Sequence, residues 1–219
     1  KHGSKSITVI PNSGGEIYEL YDPNLAGKAY ERLGIQKSDK LLVLFAGRMS
    51  PEKRWNLICE IIEKSEEEHL NVEFLVALSY SKGDENAEEL LERLKKLPCV
   101  TVFENVPFES MELLYYVADI HIMTSSIESF GRTLIEAMSR RTAVLSTDAG
   151  PTKEIVGEQN IVDPLADSFI KRIKWFDKNR NALESIKDEM LQKYKENYTL
   201  KSLSNKHLAL YEEMIKNKR

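Results

Sequence analysis

Short apolar runs recur along this chain at 41–45, 72–78, 100–103, 119–123 and 143–146, and each is followed by a stretch with helical character. Unbroken apolar runs of this length read as strands buried on both faces, which is how parallel strands covered by helices look. Weaker strand candidates stand at 6–10, where Pro11-Asn12-Ser13-Gly14-Gly15 ends the run, and at 160–162. The alternation, about six times over, predicts an α/β fold: a doubly wound, Rossmann-like parallel sheet with helices on both faces. In such a sheet ligands bind beyond the carboxyl ends of the strands.

Helix signals fill the gaps. Asp22-Pro23 opens a helix that Gly34 closes, with proline near the first turn and glycine past the last. Ser50 is placed as an N-cap with Pro51 at the first helical position, which sets Lys53 and Arg54 in a first helical turn. Further helices are expected at 85–96, 109–117, 133–138, from about Glu154, and at 167–176. Two lysine- and glutamate-rich helices follow at 180–197 and 199–217. Their apolar stripes (Leu183, Ile186, Met190 and Tyr194; Leu203, Leu208, Tyr211 and Ile215) read as packing, and their charges as a solvated face.

The loops after the strands carry the chemistry. Behind the 119–123 run comes Ser125-Ser126-Ile127-Glu128-Ser129-Phe130-Gly131-Arg132-Thr133-Leu134-Ile135-Glu136-Ala137-Met138. A strand, a small-residue turn and a helix start make an anion site, because the N–H groups from Phe130 to Thr133 point outward and the helix dipole adds to them. Glu128 and Glu136 do not suit a phosphate. They suit hydroxyls attached to one, for which carboxylates are strong acceptors. Taken singly, Arg132 and Glu136 also fit a surface i,i+4 ion pair, and Glu128 fits a helix N-terminal charge. A second loop, Ala46-Gly47-Arg48-Met49-Ser50-Pro51-Glu52-Lys53, places cations where a helix dipole disfavours them, which makes sense around an anion. Arg48, Lys53, Glu128, Ser129 to Thr133, Glu136 and Gly150 all fall at one edge of the expected sheet.

Bulk properties exclude several classes. The 219 residues are 42% hydrophobic and 30% charged, enough for an ordinary core and a hydrated surface. A formal net charge of −4 gives no ground for a nucleic-acid partner. No run of 18 apolar residues is present, and the chain, opening on Lys1 with no signal peptide ahead of the fold, reads as a fragment of a longer protein. Cys59 and Cys99 read as buried, reduced thiols of a cytosolic protein. His121 reads as a hydrogen-bonded core histidine, and no His-rich or Asp-x-Asp cluster argues for a metal.

Glu128-Ser129-Phe130-Gly131 followed by Glu136-Ala137-Met138 resembles the signature of retaining glycosyltransferases of the two-domain GT-B type. That group, the glycosyl transferases group 1 family, includes sucrose and glycogen synthases and bacterial lipopolysaccharide glycosyltransferases. Val9-Ile10-Pro11-Asn12, Phe45-Ala46-Gly47-Arg48, Pro51-Glu52-Lys53, and Ala149-Gly150 with Glu154 match the same family in order and spacing. Three positions depart from it: Ser13 and Pro151 replace glycines, and Ser79-Tyr80-Ser81-Lys82-Gly83 stands where a Gly-x-Gly word is usual.

The resemblance implies the second, donor-binding half of a GT-B fold. Residues 1–15 would be interdomain linker and first strand, 16–178 the nucleotide-sugar donor domain, and 179–219 C-terminal helices packed on it or on an N-terminal domain. It implies transfer of a sugar, with retention, from a nucleotide-diphospho-sugar to a glycan, lipid-linked or cell-surface polysaccharide acceptor. A uridine donor is favoured because such donors are the commoner ones in these families. By the same resemblance Arg48 and Lys53 neutralise the diphosphate with help from Gly47 and the Ser129–Thr133 turn. Glu136 holds the ribose, Glu128 the transferred sugar, and the Asn105-Val106 turn the base. No metal, other cofactor or covalent nucleophile is implied, and catalytic weight falls on Glu128, Arg48 and Lys53. The acceptor would sit on the N-terminal domain, so this chain alone would bind donor weakly and transfer nothing. A cytoplasmic place is implied, with peripheral attachment at the inner face of a membrane open to the full-length protein. The alternatives are a sugar-nucleotide epimerase and a sugar-nucleotide-binding module without catalysis.

Overall fold

Five of the apolar runs become parallel strands in the computed structural model, which describes residues 7–216. They are β1 (Leu41–Arg48), β2 (Val72–Ser79), β3 (Val100–Glu104), β4 (Ile120–Met123) and β5 (Ala143–Ser146). Their order in the sheet is β3-β2-β1-β4-β5. β1 pairs along its whole length with β2, Leu41 opposite Val72 and Arg48 opposite Ser79, and on its other side with β4 at Val43 and Leu44. The order therefore reverses at β1. The chain leaves β1 toward one side and β4 toward the other, and a crevice opens between their carboxyl ends.

Nine helices surround this sheet among the described residues: α1 (Pro23–Leu33), α2 (Trp55–Glu67), α3 (Glu85–Lys95), α4 (Phe108–Val117), α5 (Arg132–Ser139), α6 (Thr152–Val156), α7 (Ala166–Lys178), α8 (Arg180–Asn197) and α9 (Leu200–Lys216). β1 shows why its run is apolar throughout. Leu41, Val43 and Phe45 enter one core with residues of α2, α3 and α7, while Leu42 and Leu44 enter a second with residues of α4, α5 and α8. Side chains alternate across a strand, so a strand covered on both faces has no position left for a polar residue. Local signals act as read at α1, where the Asp22 side chain accepts from Asn24 N–H and Gly34 takes the left-handed conformation at the end.

Several expectations change. The described part of the 6–10 run forms no strand; Ile7 and Val9 are exposed, with no sheet neighbour to take up their backbone groups, and Ser6 lies outside the described residues. At 160–162 a single bridge, Ser146 with Ile161, replaces the last strand because a 3-10 turn (Glu158–Asn160) uses the residues before it. The sheet thus has the five strands of the strong runs, and neither weaker candidate joins it as a strand. Lys53 and Arg54 do not enter a first α-helical turn. Pro51–Lys53 is a 3-10 turn, Arg54 stands in the left-handed region (φ 52°), and α2 starts only at Trp55. Cys99 is half-buried rather than buried, though both thiols are pushed up by desolvation, Cys59 to about 11 and Cys99 to about 12. Leu208, Tyr211 and Ile215 of α9 stay exposed, whereas Leu183, Met190 and Tyr194 of α8 pack as expected. Lys187 of α8 is no solvated charge: it is buried and bonded to Asp119.

Candidate functional site

At the carboxyl edge of the sheet, a cleft of about 220 Å³ opens between the ends of β1 and β2, the turn after β3, and helices α4 and α5. Its wall includes Gly47, Arg48, Val106, Tyr115, Thr133 and Glu136. Five of those six were picked from the sequence; Tyr115 was not. Lys53, Asn105, Glu128, Ser129, Phe130, Gly131 and Arg132, also expected at the site, are not part of this wall. Asn105 sits in the left-handed region (φ 50°) as the chain turns out of β3, donates its N–H to the Leu78 carbonyl at 2.8 Å, and so aims Val106 at the cleft.

The two glutamates, eight residues apart, occupy unlike surroundings. Glu136 lies on the buried face of α5 and is only 7% exposed. Its Oε2 accepts the Tyr115 hydroxyl at 3.1 Å, and its Oε1 lies 3.6 Å from Arg132 Nε, a loose version of the i,i+4 pair. Burial pushes its carboxyl above the ordinary glutamate range, and the Tyr115 hydrogen bond and Arg132 only partly offset this. Glu128, in the β4–α5 loop, is held by Lys53 through an ion pair, with Ser125 Oγ donating to the same oxygen at 2.7 Å. The structure thus brings the candidate cation of one loop onto the candidate carboxylate of another. An ammonium has three N–H donors, so Lys53 paired to Glu128 keeps two for a ligand.

Backbone ties fix these loops to one another. Thr124 Oγ1 donates to the Lys53 carbonyl at 2.7 Å, and Ser126 N–H donates to the Glu52 carbonyl at 2.8 Å. Thr147, after β5, donates its hydroxyl to the Ser125 carbonyl. Gly150 passes so close beneath the same loop that a Cβ there would stand 2.5 Å from the Glu128 carbonyl oxygen, and its φ of 68° is one that glycine adopts without strain. Arg48 closes β1, its carbonyl taken by Trp55 Nε1 at 2.7 Å, and its side chain makes no ion pair among the described residues.

Around the turn, Gly131 is left-handed (φ 87°) and caps α5 without a side-chain bond. Among the described residues the N–H groups of Phe130, Gly131, Arg132 and Thr133 have no backbone acceptor. Phe130 packs edge-on against Tyr198, and no side-chain bond of Ser129 is seen. His121 lies under the cleft and is fully buried; its Nδ1 donates to the Leu44 carbonyl at 3.1 Å, and desolvation lowers it to about 4, so it is neutral. Among the described residues no three His, Cys, Asp or Glu side chains converge as metal ligands, and no helix is long and apolar enough to cross a membrane.

Sequence reasoning missed Tyr115, Ser125 and Thr124. Ser125 stands inside the motif and could have been found there. Tyr115 left no signal, since its hydroxyl reaches Glu136 from another helix, 21 positions away.

With this geometry in place, comparisons with known proteins converge. Residues 31–198 match the family model of the glycosyl transferases group 1. The chain is 29% identical over 175 residues to the phosphatidylinositol N-acetylglucosaminyltransferase GPI3 subunit of Saccharomyces cerevisiae, covering 76% of this chain and 37% of that protein. It is 27% identical over 205 residues to the lipopolysaccharide 1,2-N-acetylglucosaminetransferase of Salmonella typhimurium, covering 86% and 53%. It therefore spans between about a third and a half of the curated relatives it matches. Among solved structures, Anabaena Alr3699/HepE in complex with UDP and glucose superimposes with a TM-score of 0.76 at 17% identity, covering 91% of this chain and 55% of that one. That likeness is one of fold.

Proposed function

The chain belongs to the glycosyl transferases group 1 family, and on that premise we propose that it is the donor-binding domain of a glycosyltransferase. The donor is a nucleotide-diphospho-sugar, with UDP as the nucleotide. The observation that carries the reading is the convergence at one cleft. Arg48, Thr133 and Glu136 line the cleft where the strand order reverses, and beside it Lys53, next to Gly47, pairs with Glu128 of the loop that leads to the open N–H groups at the start of α5. Such a cleft suits a ligand with an anionic centre and hydroxyls at both ends.

In this reading Glu136 accepts from the ribose, Val106 and the turn around Asn105 hold the base, and Glu128 accepts from hydroxyls of the sugar. Lys53, Arg48 and the N–H groups from Phe130 to Thr133 face the diphosphate. The bond from the anomeric carbon to the β-phosphate oxygen breaks as a bond to an acceptor hydroxyl forms on the same face, with retention. The acceptor's proton leaves with the departing diphosphate. Fixed cations and N–H dipoles stabilise the charge that develops there, and the reading invokes no metal. The acceptor is a glycan or lipid-linked glycan held by a complementary domain, in a protein working at the cytoplasmic side of a membrane. The two curated relatives, named for transfer to a phosphatidylinositol and to a lipopolysaccharide, support that acceptor class.

Titration calorimetry of the chain with UDP and GDP tests the reading. Saturable binding of one nucleotide is expected, and Glu136→Ala should weaken it by about 1.5–3 kcal/mol, the scale of a hydrogen bond to a charged group. Undiminished affinity in that variant would remove Glu136 from the ribose, and no binding of either nucleotide by the wild-type chain would remove the donor site altogether.

A further inference from the structure

We propose that Tyr115 is a positioning residue for the nucleotide: its hydroxyl fixes the Glu136 side chain so that the carboxylate faces the cleft where a ribose binds. The proposal rests on the assignment of Glu136 to the ribose. Glu136 has two neighbours that compete for its orientation. Tyr115 holds Oε2 from beneath at 3.1 Å, whereas Arg132, one turn earlier on α5 and 59% exposed, lies 3.6 Å from Oε1 on the solvent side. Without the hydroxyl the loose Arg132 pair is the contact left to the carboxylate among the described residues, and a glutamate with three rotatable bonds is free to follow the exposed guanidinium outward.

The donor itself is rigid. Tyr115 is fully buried in α4. Its ring stands edge-on to His121 at 5.7 Å and to Tyr18 at 6.2 Å. Tyr18 is in turn covered by the Arg140 guanidinium at 5.0 Å, and Arg140 is tied to the Leu20 carbonyl at 3.1 Å and to Glu112 at 2.8 Å. Glu136 is the one acceptor of the Tyr115 hydroxyl among the described residues. The ring cannot turn to seek another, so the bond acts as a fixed stop for the carboxylate rather than as one of several alternatives. A group preorganised in this way loses less freedom when it binds.

The test compares UDP with 2′,3′-dideoxy-UDP on the 219-residue chain, as the ratio of their dissociation constants. A positioning role predicts that Tyr115→Phe, which keeps the ring contacts, reduces that ratio roughly five- to tenfold while leaving the dideoxy affinity unchanged, as one lost hydrogen bond would. In a Glu136→Ala background the same substitution should change neither constant. Should Tyr115→Phe fail to fold, Glu136→Asp, which withdraws the carboxylate from the hydroxyl by one methylene, is expected to lose the ratio in the same way. An unchanged ratio, an equal loss for both ligands, or a further loss in the Glu136→Ala background would each overturn the positioning role. If Glu136→Ala itself leaves the ratio untouched, the ribose assignment beneath the proposal falls; if it abolishes the ratio while Tyr115→Phe does not, only the positioning role falls.

Discussion

The two ends of the sheet treat charge in opposite ways. At the amino end Asp119 is saturated: Oδ2 accepts Leu42 N–H at 2.9 Å, Oδ1 accepts Lys187 Nζ at 2.6 Å, and Arg180 stands 4.0 Å away. Beside it Arg141 bonds Asp188 at 2.6 Å and Glu184 at 2.7 Å. At the carboxyl end Glu136 is desolvated with one neutral donor, and among the described residues Arg48 has no ion pair and four N–H groups at the start of α5 (Phe130 to Thr133) lack backbone acceptors. Buried polar groups are almost always matched inside a protein. The amino end obeys that rule from within; at the carboxyl end Glu128 does so too, through Lys53 and Ser125, and under the proposed function a ligand completes the rest. On that proposal the same chemistry serves stability at one edge and binding at the other.

Substituting Asp119 is the strongest way to break that contrast. Asp119→Ala would leave the Leu42 N–H without its acceptor and the buried Lys187 ammonium with Glu184 alone, at 3.0 Å. Removing one partner of a buried pair costs about 3–5 kcal/mol; the partial exposure of Asp119 puts the expected loss at the lower end, read as a fall in the urea midpoint. Nucleotide affinity of the folded fraction should stay within about twofold. A loss of affinity with stability intact would show that the amino end is not the structural edge.

Lys53→Ala makes the converse cut. It breaks the ion pair with Glu128, which Ser125 still bonds, so the stability cost should be smaller than for Asp119→Ala. Affinity for UDP should fall by about 1–2 kcal/mol while affinity for uridine holds, since a lost charged contact is felt only by the ligand that carries charge. Equal losses for UDP and uridine would take Lys53 away from the diphosphate.

The contrast also explains what the sequence could disclose. Strands covered on both faces must be apolar throughout, so β1 to β5 could be read as runs, and their alternation with helices implied the sheet and the edge where candidate residues gather. The candidate site residues could be singled out because several lie within single loops: Lys53 five positions after Arg48, and Glu128 eight before Glu136. Contacts that cross between elements leave no such spacing. The Tyr115–Glu136 bond, the Lys53–Glu128 pair and the Lys187–Asp119 pair join residues 21, 75 and 68 positions apart. The left-handed Arg54, which ends a 3-10 turn and delays α2, likewise follows from the tie of Thr124 and Ser126 to the Lys53 and Glu52 carbonyls, a tertiary effect. The 6–10 run failed for the same reason in reverse, since a strand needs a neighbour that its own residues cannot specify.

Glu136→Gln gives the smallest effect and the finest test of the contrast. The amide oxygen can still accept from Tyr115, while the charge that burial disfavours is removed. A carboxyl whose folded pKa is raised contributes stability that is full below the unfolded value, about 4.3 for glutamate, and is lost as pH rises through the folded value. At pH 7 the wild type has lost that contribution and the variant has nothing to lose. Glu136→Gln should therefore be the more stable protein at pH 7, by about 0.5–1 kcal/mol at the low end of single-substitution effects. Its advantage should shrink to nothing as pH falls to 4, while its UDP affinity is weakened at pH 7. A pH-independent difference in thermal midpoint would mean that Glu136 is not held against its own desolvation. A less stable variant at pH 7 would mean that this carboxylate, like Asp119 at the far edge, is there to hold the fold.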